Sequence, residues 1–266
     1  MYFNFFDKYN ILDTYFIDYI DYVRCLKIVK LGLGMALIFM NVFFYLILPK
    51  CLSYRASKYV SLGLIYLLNN KIIVNDKYKQ LNKKGRIIIA NHQNATDYIF
   101  IYSLFNNVNT VVKYNLFCED NTTAKFFMKI LELFTKLICK SAYLMEYKKN
   151  DRNCGKMIKD KISNIIDKGN NVLVFPEGTT YKNKVGEFKK GLFYTAFNNN
   201  IPIIPITINY KKNMGMNYED SLDIYNFFDN NVEIIIHEEI CDEESVELLI
   251  SKSKKIIEDS FILHQS

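Results

Sequence analysis

The polarity pattern divides the chain into two textures. From Leu31 to Leu48 nearly every side chain is apolar, Asn41 is the only strongly polar one, and Lys30 and Lys50 bracket the run. As a helix at about 1.5 Å per residue it would extend about 27 Å, close to the ~30 Å hydrocarbon thickness of a bilayer. It starts too late and runs too long for an ordinary cleaved signal peptide. A transmembrane helix is expected there, with a buried core helix as the alternative. The preceding segment, Tyr2 to Arg24, mixes aromatics with spaced acids and suits the membrane–water interface. A second apolar patch, Tyr59–Leu68, is too short to span; it suits the interface or the return arm of a helical hairpin. Lys8, Arg24, Lys27 and Lys30 before the run nearly balance Lys50, Arg55 and Lys58 after it, so the positive-inside rule gives no orientation.

Past residue 70 the pattern changes to short apolar runs between longer mixed segments. Strands are predicted at Lys71–Val74, Arg86–Ala90, Thr110–Lys113, Ala142–Glu146, Val172–Phe175, Ile203–Ile208 and Val232–His237. Helices are predicted at Tyr98–Phe105, Ala124–Cys139, Arg152–Lys168 and Lys189–Asn198, with a closing amphipathic helix from Glu244 to Leu263. Such alternation predicts an α/β fold, a central mixed sheet flanked by helices with an N-terminal membrane-helical segment. The expected division is 1–70, membrane-associated and helical, then 71–266, the α/β domain.

Composition narrows the class. Half of the 266 residues are apolar, with 20 Tyr, 20 Phe and no Trp, which excludes a disordered chain. The net charge of +6 suits anionic lipid or a phosphorylated substrate. Nucleic acid is not an expected partner, because there is no dense Lys/Arg run and no nucleic-acid motif. Cys25, Cys51, Cys118, Cys139, Cys154 and Cys241 form no C-x-x-C pair, and there are only 3 histidines. No metal site is expected, and the thiols read as unpaired in a reducing compartment.

Three blocks carry candidate chemistry. In Ile87-Ile88-Ile89-Ala90-Asn91-His92-Gln93-Asn94-Ala95-Thr96-Asp97 an apolar strand runs into a His, with an Asp five residues on. On one continuous helix these side chains would point about 140° apart. In a loop leading into a helix they can meet. Asp97 would then favour the helix start and hold one ring nitrogen of His92, leaving the other to take a proton. That is the base and orienter of a hydrolytic triad without an enzyme nucleophile. A plain polar turn after a strand is the alternative.

The second block is Val172-Leu173-Val174-Phe175-Pro176-Glu177-Gly178-Thr179-Thr180, a strand entering a tight turn with an acid, a glycine and two hydroxyls. Gly178 permits close backbone approach, adjacent N–H groups suit an anion, and Lys189 in Phe188-Lys189-Lys190-Gly191 suits the same site. Taken alone, these residues favour an ordinary turn with a solvated lysine. In the third block, Ile201-Pro202-Ile203-Ile204-Pro205-Ile206, proline cannot donate to a sheet ladder and belongs at an edge or strand entrance. His237 ends an apolar strand and reads as structural, and His264 as solvated.

Together and in this order the blocks resemble the PlsC-like phospholipid/glycerol acyltransferase family, which carries Asn-His-x4-Asp, a basic block, Phe-Pro-Glu-Gly-Thr and an apolar proline-containing block. The resemblance covers roughly residues 71 to 210. Asn91-His92-Gln93, with Thr96-Asp97-Tyr98, also resembles its lysocardiolipin and lysophosphatidylinositol acyltransferase branch. The family likeness implies a membrane-bound enzyme moving an acyl group from acyl-CoA, a co-substrate, to a lysophospholipid such as 1-acylglycerol-3-phosphate. No cofactor is implied. His92 is then the general base and Asp97 its partner. Glu177, Gly178, Thr179 and Thr180, with Lys189 and Lys113, hold the acceptor's glycerol-phosphate end. A glycerol-3-phosphate acyltransferase or lipid transacylase is the nearest alternative, and a lipid-binding protein that has lost catalysis is another class. No G-x-S-x-G elbow supports a serine hydrolase.

Two positions depart from the family pattern. Thr180 stands where many relatives have Arg, and Tyr147 follows the short middle strand where an Arg is usual. Lys148, Lys149 and Arg152 lie nearby but out of register, and lysine lacks the planar fork with which Arg grips phosphate. Asn94-Ala95-Thr96 and Asn121-Thr122-Thr123 are glycosylation sequons, the first inside the expected active loop. A catalytic domain on the cytosolic face is therefore expected, and the family resemblance implies the endoplasmic reticulum membrane.

Overall fold

The computed structural model describes residues 23, 25–34, 36–37, 40, 43, 47–94, 96–113, 144–147, 154–181, 184–211, 228–241 and 243–263. The predicted helix Ala124–Cys139, the second sequon and His264 lie outside them. In chain order the elements are α1 (Lys50–Leu67), β1 (Lys71–Asn75), β2 (Ile87–Ala90), α2 (Asp97–Leu104), β3 (Val108–Lys113) and β4 (Leu144–Tyr147). Then follow α3 (Cys154–Asp167), β5 (Asn171–Val174), α4 (Gly191–Asn198), β6 (Ile203–Lys211), β7 (Asn231–Ile236) and α5 (Val246–Leu263).

The 7 strands form one sheet in the order β1-β7-β6-β2-β5-β3-β4. Strands β2 to β6 run parallel; β7 joins β6 antiparallel and carries β1 with it. The sheet is therefore mixed, as the alternation of elements predicts.

Strand alternation sends successive side chains to opposite faces. Ile88 and Ala90 of β2, with Ile204, Ile206 and Ile208 of β6, pack beneath α1 and α2. Ile87, Ile89 and Ile203 pack on the other face against α3, α4 and α5. All four residues of β2 are buried, as expected of a central strand covered on both faces. β3 begins at Val108, ahead of its predicted start, because the polar Asn109 is accommodated in the core. Its amide donates to the Tyr54 hydroxyl (3.1 Å) and the Asn171 carbonyl (3.3 Å).

The apolar patch Tyr59–Leu68 lies almost wholly within α1, with Val60, Leu64 and Ile65 in the core and Tyr59, Leu62 and Tyr66 exposed. The preceding residues 25–34 are helical. They approach α1 through glycine: a Cβ at Gly34 would lie 3.3 Å from Leu64, and one at Gly63 3.7 Å from Leu37. The predicted span Leu31–Leu48 falls partly outside the described residues. Among those described, no helix is long and apolar enough to cross a membrane.

Candidate active site

The parallel strands β2, β5 and β6 end at the same edge of the sheet, where the loops after β2 and β5 and Tyr210 of β6 form one cluster. Asn91, fully buried, fixes the end of β2 to β6. Its carbonyl oxygen accepts from the Ile208 N–H (2.7 Å) and its amide donates to the Ile208 carbonyl (2.9 Å). The chain then turns through residues 91–96 before α2 begins at Asp97. This turn removes the separation that a continuous helix would impose on His92 and Asp97.

His92 is held from several sides. Its backbone N–H donates to Glu177 Oε1 (2.8 Å), and its carbonyl accepts from the Tyr181 N–H (2.7 Å). The ring stacks on Phe175 with centroids 4.2 Å apart and planes 20° from parallel. Nδ1 lies 2.9 Å from Asp97 Oδ2. The side chain is 20% exposed, and among the described residues Nε2 has no protein partner. The hydrogen bond at Nδ1 therefore leaves Nε2 as the available proton acceptor.

Asp97 has no solvent exposure at all. Its Oδ2 also accepts the backbone N–H groups of Gln93 (2.7 Å) and Asn94 (2.9 Å), and its Oδ1 accepts the Tyr210 hydroxyl (2.5 Å). Every donor here points at an acceptor-only group, which suits a carboxylate at a helix N-terminus. Asn94 is itself buried, its Oδ1 taking the Thr96 N–H (3.2 Å), so the first sequon is closed to a glycan in the folded chain.

Glu177 is buried to 3% exposure with both oxygens engaged, Oε1 by the His92 N–H and Oε2 by the Gly186 N–H (2.8 Å). Its contacts are those of a clamp joining the two loops. Burial pushes its pKa up; the His92 and Gly186 N–H groups and the His92 charge oppose that, while the Asp97 charge adds to it. The folded chain thus holds this proton more tightly than the unfolded chain. The contribution to stability is full below the ordinary value of 4.5 and is lost as pH rises towards the raised folded value. Glu177→Gln is expected to place an NH₂ group against one backbone N–H and to destabilise the fold by about 1–3 kcal/mol. Thermal unfolding across pH checks this: the midpoint falls and this pH slope disappears.

Gly178 has φ +69°, and a Cβ added there would collide with the Lys189 ammonium, which lies across it. The Lys189 N–H in turn donates to the Pro176 carbonyl (2.9 Å). Lys189 and Thr179 are exposed and Thr180 half-buried, so the turn presents hydroxyls and a cation on its open side. Gly186 is equally constrained, because a Cβ would collide with the Tyr181 ring and come 2.8 Å from Glu177 Oε2. Lys113 ends β3 in register with Tyr147 at the end of β4, on the sheet edge that carries His92.

His237 follows β7 on the other side of the sheet. Its Nε2 lies 2.9 Å from the Thr207 hydroxyl, which also donates to the Ile257 carbonyl (3.4 Å) of α5. Burial lowers its pKa to about 4, consistent with a neutral packing residue. Among the described residues no group of His, Cys, Asp or Glu is placed to hold a metal ion.

The sequence pattern missed the partners of the catalytic-looking pair. Gly186 lies in a polar stretch without periodicity. Tyr210 was findable in part: it shares the even-numbered face of β6 with Ile204, Ile206 and Ile208, the face covered by α2.

Residues 71–209 match the family model described as Acyltransferase. The chain is 26% identical over 161 residues to the probable 1-acyl-sn-glycerol-3-phosphate acyltransferase of Mycoplasma pneumoniae, covering 60% of this chain and 57% of that protein. It is 28% identical over 149 residues to the protein so described in Mycoplasma genitalium, covering 54% and 51%. The chain thus spans little more than half the length of these curated relatives. The fold is similar to the crystal structure of the 1-acyl-sn-glycerophosphate (LPA) acyltransferase PlsC from Thermotoga maritima. That match has a TM-score of 0.60 and 17% identity, and covers 91% of this chain and 95% of that one. With its family model matched across more than half of the 266 residues, the chain belongs to the acyltransferase family, in its PlsC-like form.

Proposed function

We propose that this protein transfers a fatty acyl group from acyl-CoA to the free hydroxyl of a lysophospholipid, 1-acylglycerol-3-phosphate first among them. The carrying observation is the His92 ring, fixed by Asp97 at Nδ1 and open at Nε2. In the proposed reaction Nε2 takes the proton from the acceptor hydroxyl as its oxygen bonds to the thioester carbonyl carbon. The tetrahedral intermediate collapses, the C–S bond breaks, and the coenzyme thiolate leaves and takes up the proton. The acceptor's phosphate would lie against the turn of Gly178, Thr179 and Thr180 with the Lys189 ammonium, and Lys113, in register with Tyr147, would supply a further positive charge. Family membership and the likeness to probable 1-acyl-sn-glycerol-3-phosphate acyltransferases support the acceptor class.

Attachment to a membrane belongs to the same proposal. Leu52, Tyr59, Leu62 and Tyr66 are exposed and, at 100° per residue, fall along one stripe of α1, which suits a lipid interface. The proposed home is a phospholipid-making membrane, the endoplasmic reticulum where the cell has one, with the site on the cytosolic side.

Purified protein assayed with acyl-CoA against a panel of acceptors tests the whole reading. Turnover should be greatest with 1-acylglycerol-3-phosphate, with release of free coenzyme thiol. Preference for glycerol-3-phosphate, for a lysocardiolipin or lysophosphatidylinositol acceptor, or for a phospholipid as acyl donor would replace it with the corresponding alternative. Absence of transfer to every acceptor would favour a lipid-binding role.

A further inference from the structure

Tyr210 enters the cluster from β6, and its phenol donates a hydrogen bond to Asp97 from outside the loop that carries His92. We propose that Tyr210 is a positioning residue for the His92–Asp97 pair, its hydroxyl holding Asp97 Oδ1 so that Oδ2 stays turned towards the imidazole. The inference rests on the reading of His92 as the base.

Geometry carries it. The O–H···O separation of 2.5 Å is at the short limit expected when the acceptor is a carboxylate. Asp97 is wholly buried, so water cannot replace a lost donor, and an unpaired oxygen would keep its full desolvation penalty. The phenol oxygen also lies 3.2 Å from the Thr96 hydroxyl. Because the phenol donates its own proton to Asp97, it accepts the proton of Thr96. A directed chain from Thr96 to Tyr210 to Asp97 results, in which each bond polarises the next.

The ring is fixed independently of the hydroxyl. Its edge meets Phe100 of α2, with centroids 6.2 Å apart and planes at 64°. Two residues earlier the Asn91–Ile208 pair locks the register between β6 and the loop, so the height of Tyr210 relative to Asp97 is set by the hydrogen bonds of the Asn91 side-chain amide to the β6 backbone. The titratable groups that contact the pair are Tyr210 from β6 and Glu177 from the loop after β5, the latter through the His92 N–H. Of these, only Tyr210 draws negative charge off Asp97. A carboxylate relieved of that bond attracts the imidazolium proton more strongly.

The test is Tyr210→Phe in the full chain, which keeps the ring and its edge contact with Phe100. Turnover number should fall about tenfold while acceptor KM stays within about twofold, because the residue acts through Asp97 and touches no substrate. The acid limb of the pH–rate profile should move to higher pH by about one unit. The low-field NMR line of the His92 Nδ1 proton should shift as well, a readout that needs no turnover. A change in that line without measurable transfer would support the coupling and reject the acyltransferase reading. A lowered unfolding temperature with the pH limb and the proton line unchanged would reduce Tyr210 to packing and overturn the proposal. Thr96→Val provides a second arm: removing the donor to the phenol should move the same line less and in the same direction, and a shift of opposite sign would count against the chain.

Discussion

Replacing His92 with alanine is expected to cut acyl transfer by about 10²- to 10⁴-fold, the usual effect of removing a general base. The fold should survive, for reasons visible in the loop. The bonds that anchor this residue to Glu177 and Tyr181 are made by its backbone N–H and carbonyl, and alanine keeps both. Asp97 Oδ2 keeps the Gln93 and Asn94 N–H donors. What disappears is the stacked ring on Phe175 and the nitrogen that accepts the proton. Initial rates, with unfolding temperature as the control, separate the two effects. If the variant turned over at a near-normal rate, His92 would not be the base.

A second large loss is expected from Asp97→Asn, about 10- to 100-fold, the worth of a hydrogen bond to a charged group at about 1.5–3 kcal/mol. The amide has one orientation that fits. Its oxygen must take the place of Oδ2, where it can accept from His92, Gln93 and Asn94, and its NH₂ then faces the Tyr210 oxygen. The flipped amide would set its donors against those of the loop. The geometry and tautomer of His92 are therefore retained, and the negative charge opposite the developing imidazolium is lost. The effect should appear in kcat, with acceptor KM little changed. Full activity in this variant would show that the imidazole needs no charged partner.

Strand and helix positions were largely legible because the apolar runs are short, rich in isoleucine and separated by turn residues, so their period is unambiguous. β2 and the first part of β6 are the clearest cases: mainly apolar runs that prove to be buried on both faces. The His92–Asp97 contact was legible because both residues lie within one loop and the strand before it fixes where the turn begins. Glu177 stood out in the sequence beside a turn glycine, while its contacts were hidden. Its partners are backbone N–H groups, and no side-chain pattern announces which backbone group a carboxylate will meet. Tyr210 was hidden for a related reason. Its partner lies across the sheet, and only the register between β2 and β6, set by Asn91, brings the two together.

That register has a consequence for how the molecule is made. The bonds that close the site join residues 85, 113 and 117 positions apart in the chain. Each depends on a parallel pairing that must overcome the entropy of closing a long loop before it gains any contact energy. A growing chain that has not yet released β6 has neither the Asn91 clamp nor the Tyr210 donor, so it carries His92 and Asp97 without the shell that aligns them. Competence for chemistry thus arrives late in synthesis, with the docking of β6 against β2.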